Sequence, residues 1–340
     1  MSILPFLSRG QLRQSDGIIA TDCSVKTVSA GGTGDDVMKK EKREKTGSNN
    51  LERKERRYFY LFIVPWLVGF FLLTIGPMLY SFYCALCDWD GMSTPQFAGL
   101  DNYARTIFSN QDLRRALVNT FVYAIFSVPT SMLFALFLAF LLNKNHKGAG
   151  IFQALFYFPS VAAGTAVYMV WIWLFNGETG VFNYLLSLIG IEGPKWLSST
   201  EWAMPSLIIM NLTFCGQAML IFLAGLKQVP ATYYEAAEID GATGFAKFTK
   251  ITLPMISPVV LLNTIMGMIS AFQIFNQPFI MTGGGPMKST YMYGMLIYDT
   301  GFLFFRFGEA AAQSWILCLL LVVLTVIVMK LMNRKTVYEL

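Results

Sequence analysis

Long apolar runs, separated by short polar segments, dominate the chain after its first 57 residues. Six runs are long enough to cross a bilayer, because a helix needs about 20 apolar residues to span roughly 30 Å of hydrocarbon. The runs cover residues 58 to 82, 117 to 142, 150 to 175, 203 to 225, 257 to 281 and 307 to 331. They are continuous rather than alternating, which favours helices over the strands of a membrane barrel. The pattern predicts an all-α integral membrane protein with six transmembrane helices.

Charge adds an orientation to this picture. Hydrophobic residues make up 54% of the 340 residues and charged residues only 14%, well below the quarter or so that is typical of soluble domains. Lys and Arg are dense between Lys39 and Arg57, directly before the first apolar run. Because basic flanks stay in the cytoplasm, we predict that both termini are cytoplasmic. The polar segment between the fourth and fifth runs then also lies in the cytoplasm.

The chain divides into three regions by composition. Residues 1 to 57 are rich in Ser, Gly, Thr and charges without sustained periodicity, which predicts a disordered cytoplasmic tail that ends in a basic run. Residues 58 to 336 form the predicted six-span domain, with a cytoplasmic loop at 226 to 256. Residues 337 to 340 remain as a short C-terminal tail.

Several function classes are disfavoured by what the sequence lacks. It contains no GxxxxGK[ST] phosphate loop, so ATP binding by this chain is not expected. A single histidine and five scattered cysteines do not make a catalytic triad or a metal site. The apolar runs hold no ionisable residue except Glu309 at the margin of the last, which disfavours proton coupling. We therefore predict neither enzyme activity nor a metal site, and no nucleic-acid partner.

The charged stretch YYEAAEIDGATGFAKF, residues 233 to 248, interrupts the apolar pattern. Pro230 suits the start of a helix and Asp240-Gly241 its end, while Thr243 can cap a second helix that Pro254 ends. Small and acidic residues would give this helix-turn-helix a flat surface for a soluble protein. The candidate docking residues are Glu235, Ala236, Ala237, Glu238, Asp240, Gly241 and Ala242. An amphipathic helix at the lipid surface is an equally good interpretation of the same pattern.

Four segments resemble a known family. EAAEIDGA at 235 to 242, followed by ITLP at 251 to 254, closely resembles the EAA loop of bacterial ATP-binding-cassette importer permeases. MTGGGPMKST at 281 to 290 and RALVNTFVYAIFSVP at 115 to 129 are similar to the maltose-type sugar permeases in particular. The resemblance covers about residues 58 to 336 and does not include the N-terminal tail.

This resemblance implies an assembly rather than a single chain. It implies a second homologous permease, two ATPase subunits that bind ATP and Mg²⁺, and an extracytoplasmic solute-binding protein. The chain itself would hold no cofactor and would pass carbohydrate by alternating access. It would be a multi-pass protein of the bacterial cytoplasmic (inner) membrane, in contact with membrane lipid.

Polar side chains in the fourth and fifth runs are candidates for a solute pathway. On a continuous helix, Asn263, Ser270, Gln273 and Gln277 fall within about 80° of one another, whereas Asn276 lies off this stripe. The resemblance places the substrate near Gln217 and near Ser270 to Ile274. The candidate pathway residues are Phe214, Gln217, Asn263, Ser270, Gln273, Ile274 and Gln277. The alternative is that these polar groups hold helices together by hydrogen bonds.

The run Gly283, Gly284, Gly285 and Pro286 predicts a tight turn outside the membrane, since positive φ suits glycine. By resemblance, it faces the binding protein. A plain loop that needs only flexibility is the alternative.

The expected function is therefore that of a permease subunit in an ATP-driven, binding-protein-dependent importer of a sugar or oligosaccharide. Other classes stay open at this point. A secondary, ion-coupled sugar transporter would share the polar stripe, and an importer of glycerol-phosphate or another small polar solute would share the docking loop. A structural or receptor-like membrane protein would bind no ATPase.

Overall fold

The computed structural model describes residues 57–143 and 148–333. The predictions for tail residues 1 to 56 and 337 to 340 lie outside the described residues. Arg57, predicted as the last tail residue, instead begins the first helix. By packing, the chain divides into a unit that ends at Phe71 and one that begins at Leu72.

The described part is mostly helical. Its helices are α1 (Arg57–Ala85), α2 (Asp101–Ala104), α3 (Gln111–Leu142), α4 (Ala149–Val161), α5 (Gly164–Leu174), α6 (Val181–Leu188), α7 (Ala203–Asn211), α8 (Gly216–Gln228), α9 (Ala231–Ile239), α10 (Gly244–Met255), α11 (Ser257–Phe272), α12 (Asn276–Met281), α13 (Tyr293–Tyr298) and α14 (Phe307–Asn333). One small feature departs from the all-α prediction. Strands β1 (Cys87–Asp88) and β2 (Gln96–Phe97) form an antiparallel pair, in which Cys87 lies opposite Phe97.

Among the described residues, three helices are individually long and apolar enough to cross a membrane: α1, α3 and α14. Three further helix pairs meet the same test only together, because each is bent at a short break. The bend is 100° between α4 and α5, 49° between α7 and α8, and 68° between α10 and α11. The described chain therefore has up to six spans, but the prediction of continuous helices for the third and fourth runs is wrong.

The break between α4 and α5 has no strong local signal. The backbone is extended at Ala162 (ψ 154°) and Ala163 (ψ 116°), which separate the two helices. Neither residue is Gly or Pro, and Pro159 lies inside α4 rather than at its end. Apolar periodicity therefore runs through the bend without marking it.

A glycine at the start of α8, Gly216, allows α8 to pack closely against α4. A Cβ added at Gly216 would clash with the carbonyl oxygen of Phe156 and lie 2.8 Å from the Cα of Tyr157. Only a residue without a side chain allows the two backbones this close. Gly216, which precedes Gln217 in the sequence, thus allows α4 to cross closely over the first turn of α8.

Helix α3 is the centre of the bundle. One buried cluster, which includes Tyr123, Leu207 and Phe272, joins α3 to α7 and α11. A second cluster joins the other half of α3 to α8 through Ala135 and Phe222. With side chains packed on both halves, α3 forms one wall of the space between these helices.

The fifth apolar run is not one helix. Helix α11 ends at Phe272, the chain turns through Gln273 to Phe275, and α12 begins at Asn276. Phe275 has φ −138° and ψ −59°, outside helical geometry. The single-helix phase that we used to predict the polar stripe is therefore wrong beyond Phe272.

Candidate functional site

A cavity of about 550 Å³ lies between α3, α5, α8, α11 and α12. All seven residues of the predicted pathway line it: Phe214, Gln217, Asn263, Ser270, Gln273, Ile274 and Gln277. They come together although they belong to separate helices and to the turn between α11 and α12. Their shared placement is a geometric finding, whereas their role in moving a solute stays a prediction.

The seven residues differ in how they meet the cavity. Gln217, Ser270 and Gln273 are exposed, so their polar atoms are free to meet a solute. Gln277 is only 4% exposed and is fully engaged. The hydroxyl of Tyr123 donates to its Oε1 at 3.0 Å, and its Nε2 donates to the Leu207 carbonyl at 2.7 Å. Gln277 thus links α3, α7 and α12, as the helix-linking alternative describes.

Asn276 requires a correction. The continuous-helix prediction puts Asn276 off the polar stripe. In the structure, Asn276 is exposed and lines the same cavity as Gln273. The cause is the turn at residues 273 to 275, which resets the helical phase before α12 begins.

Five further polar lining residues were not among the predicted ones: Tyr123, Ser127, Ser131, Tyr168 and Asn211. Each lies on a helix other than α11. The helical periodicity of α11 predicts which of its own residues share a face, but not which residues of other helices lie opposite that face. Tyr168 packs edge-on against Phe214, with ring centroids 6.0 Å apart. The pair gives the cavity an aromatic wall beside its amides and hydroxyls.

The chemistry of the lining is polar but uncharged. Within the described chain, the cavity is lined by no Asp, Glu, Lys, Arg or His. Amides and hydroxyls both donate and accept hydrogen bonds, and aromatic faces pack on apolar surface. Such a lining suits a neutral solute that is rich in hydroxyl groups, and offers no countercharge to an ion.

A second candidate site is the helix-turn-helix formed by α9 and α10. Helix α9 ends as predicted at the Asp240-Gly241 turn, where Gly241 has φ +70°. The Gly241 N–H donates to the backbone carbonyl of Glu238, and the Ala242 N–H donates to the backbone carbonyl of Ala237. These are the two hydrogen bonds of a glycine-dependent helix C-cap. Thr243 then caps α10 by accepting a bond from the Ala246 N–H, also as predicted.

The end of α10 differs from the prediction. The helix continues through a π-helical turn at Phe248–Thr252 and past Pro254 to Met255. Proline has room here because it lies in the first turn of the segment that follows the π-helical turn. The hydroxyls of Tyr234 and Thr252 are 2.9 Å apart and tie α9 to this segment.

Most of the predicted docking residues are on the surface. Glu235, Ala236, Glu238, Asp240 and Gly241 are exposed, and Ala237 and Ala242 are half-buried. Glu238 is not free for a partner, however. Lys247 donates to it at 2.7 Å, and this hydrogen bond and the lysine charge lower the pKa of the Glu238 carboxyl.

Two apolar side chains on this surface are not among the predicted docking residues. Ile239 is 88% exposed and Phe245 is 78% exposed, on either side of the Gly241 turn. Exposed large apolar side chains at the tip of a short helix pair are typical anchors for another protein. Their exposure depends on the turn, so a hydropathy pattern does not reveal it.

The glycine-rich loop is held in one conformation. Gly283 and Gly284 have φ of +58° and +80°, as predicted for a turn, but Gly285 does not adopt positive φ. Asn119 on α3 donates to the carbonyls of Lys288 and Tyr291 at 2.8 and 3.0 Å. Lys288 also forms an ion pair with Asp112 at 2.6 Å. These bonds hold the segment that follows the run, at Lys288 and Tyr291, against the beginning of α3.

The hydroxyl of Tyr291 donates to Asp299 at 2.7 Å, near this loop. Burial and the neighbouring carboxylate raise the pKa of Tyr291 well above its usual range. The phenol therefore keeps its proton and its hydrogen bond at any physiological pH.

A membrane-length helix, α3, and several shorter apolar helices enclose an uncharged polar cavity, which is typical of a membrane transport protein. The family model described as "Binding-protein-dependent transport system inner membrane component" matches residues 103–338. The chain belongs to this family.

Known proteins agree with this assignment. The chain is 36% identical over 312 residues to the probable ABC transporter permease protein YesP of Bacillus subtilis (strain 168), covering 91% of this chain and 98% of that one. It is 30% identical to the trehalose/maltose transport system permease protein MalF of Thermococcus litoralis (strain ATCC 51850 / DSM 5473 / JCM 8560 / NS-C), covering 74% and 86%. The fold is shared with a bacterial ABC transporter involved in the import of the acidic polysaccharide alginate. That comparison gives a TM-score of 0.72 at 23% identity and covers 85% of this chain and 100% of that chain.

Proposed function

We propose that this chain is the transmembrane permease subunit of an ATP-driven, binding-protein-dependent importer of a sugar or oligosaccharide. The observation that carries the proposal is the cavity: a chain of the transport family encloses a space lined by amides, hydroxyls and aromatic rings. A sugar presents hydroxyls that donate and accept and apolar ring faces, so this lining can satisfy both.

The absence of charged side chains from the described lining narrows the cargo. Phosphate esters are bound in proteins by Arg, Lys or helix N-termini, because an anion loses a large hydration energy when it is buried. Glycerol-phosphate is therefore a weaker candidate than a neutral sugar. The trehalose/maltose relative supports the same choice.

The proposed topology has six spans and both termini in the cytoplasm of a bacterial cell, with the chain crossing the cytoplasmic (inner) membrane. Helices α9 and α10 then lie in the cytoplasm and the glycine-rich loop lies outside. Three uninterrupted helices, the two bent pairs α4–α5 and α7–α8, and the apolar helix α11 support this count in the described chain. The dense basic residues before α1 support the orientation.

The proposed assembly contains a second permease, two ATPase subunits that bind ATP and Mg²⁺, and an extracytoplasmic solute-binding protein. The α9–α10 surface docks an ATPase subunit, with Ile239 and Phe245 as apolar anchors and Glu235 and Asp240 as acidic contacts. ATPase closure moves this surface, and the short path from α10 into α11 passes the movement to the cavity wall. The loop at Gly283 to Pro286 faces the binding protein.

Reconstitution of the complete complex tests the function. Proteoliposomes that contain both permeases and the ATPase subunits are supplied with the binding protein and with radiolabelled maltose, trehalose or lactose. We expect uptake of a neutral sugar that needs both ATP hydrolysis and the binding protein. Uptake by the permeases alone along an ion gradient would instead identify a secondary transporter. Uptake of glycerol 3-phosphate in place of every sugar would overturn the cargo.

A further inference from the structure

A second polar cavity, of about 330 Å³, lies where four parts of the chain meet. They are the segment after α2, the start of α3, α13 with the turn that follows it, and the start of α14. Within the described chain, this cavity and the one described above share no lining residue. We call it the outer cavity, because the proposed topology puts the loops that form it outside the membrane.

The carboxylate of Glu309 is buried in the wall of the outer cavity without a hydrogen bond. Glu309 is 6% exposed, and among residues 57–143 and 148–333 its Oε2 atom has no hydrogen-bond partner. Arg306 Nη1 lies 3.6 Å from Oε2, which is too long for a hydrogen bond. A buried carboxylate costs free energy unless donors surround it. Glu309 is therefore poised to accept from a donor that enters the cavity.

Arg105 supplies a complementary donor on the same cavity. Its Nη2 atom lies 2.9 Å from Asp101 and 3.3 Å from Asp88. Its Nε atom is buried and has no partner in the part of the chain that the structure describes. Burial acts to lower the pKa of Arg105, but the carboxylates around it, including that of Glu309, raise it above its usual value. The unpartnered donor and the unpartnered acceptor thus border the same small space.

The charges of the lining favour a neutral ligand over an ion. Two basic and two acidic side chains line the outer cavity, so an ion of either sign meets repulsion as well as attraction: Arg105, Arg306, Asp112 and Glu309. Asp112 is already paired with Lys288. A neutral ligand avoids this conflict and still gains hydrogen bonds to charged groups, which are stronger than those between neutral groups.

Hydroxyl groups match the two unpartnered atoms. A hydroxyl donates to a carboxylate and accepts from a guanidinium, so one hydroxyl or two neighbouring ones can satisfy both Glu309 Oε2 and Arg105 Nε. Ser109 and Gln111, which are exposed and line the same cavity, offer further donors and acceptors. The volume lies in the range of small-molecule sites.

We propose that the outer cavity is a binding site for a neutral carbohydrate, in which Glu309 and Arg105 hold neighbouring hydroxyls of one sugar unit. The choice of a sugar and the outer location rest on the proposed function. The need for a ligand that both donates and accepts rests on the cavity alone. Two rival explanations are that the cavity holds only water, and that Arg105 and Glu309 pair directly when the cavity closes.

Protection of a cysteine from labelling tests this site. Ser109→Cys places a thiol in the outer cavity. Phe108→Cys is the matched control, because Phe108 is 86% exposed on the same segment but does not line the cavity. Both are made in the complex of the permeases and the ATPase subunits, with native cysteines replaced. The binding protein is omitted, so that it neither takes up the sugar nor covers the site.

The probe is 2-(trimethylammonium)ethyl methanethiosulfonate, applied with increasing maltose, trehalose or lactose. We expect at least one of these sugars to slow labelling of Ser109→Cys by about threefold or more, because an occupied cavity is closed to the probe. The same sugar should leave Phe108→Cys within about 1.5-fold of its rate without sugar. If Ser109→Cys fails to assemble, Gln111→Cys decides by the same criterion.

Glu309→Gln, added to Ser109→Cys, tests the role of the carboxylate. It keeps the size of the side chain and removes its charge, so the sugar concentration that gives half-protection should rise roughly 5- to 100-fold. This concentration does not depend on how fast the probe reacts with the free thiol. The control Glu201→Gln, at an exposed position outside the outer cavity, should change it less than about twofold.

Three results would overturn the proposal. Labelling that no sugar slows would leave the cavity to water or to a direct Arg105–Glu309 pair. Protection that Glu309→Gln leaves unchanged would remove the carboxylate from the site. Protection by glycerol 3-phosphate, but by none of the sugars, would contradict a neutral ligand.

The outer site and the proposed function fail separately. Protection by maltose, trehalose or lactose in a complex that takes up none of them would support the outer site and contradict the choice of cargo. Uptake of one of these sugars without protection by any of them would contradict the outer site alone.

Discussion

Lys247 Nζ donates a hydrogen bond to Glu238 Oε1 at 2.7 Å, across the turn that joins α9 to α10. The pair links the two helices across the turn. Its effect on pH dependence follows from the lowered pKa of Glu238: the contribution is complete above the ordinary carboxyl pKa and is lost as the pH falls through the lowered one.

We therefore expect Glu238→Gln to increase amide hydrogen exchange in α10 at neutral pH. Acidification should lower the protection factors of α10, calculated against the slower intrinsic exchange at each pH, in the unmodified protein and change them less in the variant. Glu235→Gln, on the same exposed helix, is the control and should leave α10 unchanged at both pH values. Equal exchange in all three proteins would show that the ion pair does not order the turn.

Gly241 should be irreplaceable for a conformational reason. Its φ of +70° costs a residue with a side chain about 1 to 2 kcal/mol, so Gly241→Ala should weaken the turn and reduce co-purification of the ATPase subunits. Gly244→Ala provides the control, because Gly244 lies in a helix with open space around its Cα and has no positive φ. Full retention of the subunits by Gly241→Ala would contradict docking through this turn.

Gln273 and Gln277 are four positions apart, but we expect substitution of Gln277 to lower stability and substitution of Gln273 to lower sugar uptake. Gln277→Leu removes bonds to Tyr123 and Leu207, so it should lower the thermal stability of the complex by an amount on the order of 1 kcal/mol. Gln273→Leu should reduce sugar uptake with little change in thermal stability, because Gln273 is exposed in the cavity. Thermal unfolding and uptake, measured on both variants, check this; a reversal would exchange their assigned roles.

Asn119 should affect communication with the binding protein. Asn119→Ala removes two of the bonds between α3 and the segment that follows the glycine-rich run, those to the carbonyls of Lys288 and Tyr291. We expect the ATPase activity stimulated by loaded binding protein to fall several-fold, with basal ATPase activity unchanged. The neighbouring exposed Val118→Ala should have no effect. A loss of basal activity as well would indicate a general assembly defect.

Local signals in the sequence determined where α9 ends and where α10 begins. The C-cap at Gly241 and the N-cap at Thr243 depend on residues within one turn of each other, so sequence spacing suffices to predict them. The apolar runs are equally local, because a membrane-length helix needs only its own composition.

Only the tertiary structure decided where those helices bend and what they enclose. The turn after Phe272 moved Asn276 into the cavity, and the extended residues at Ala162 and Ala163 broke a run with no local breaker. Tyr168 and Ser127 face the pathway from helices far away in sequence. Helical periodicity fixes directions within one straight helix, whereas the packing of several helices sets the bends and decides which side chains share a cavity.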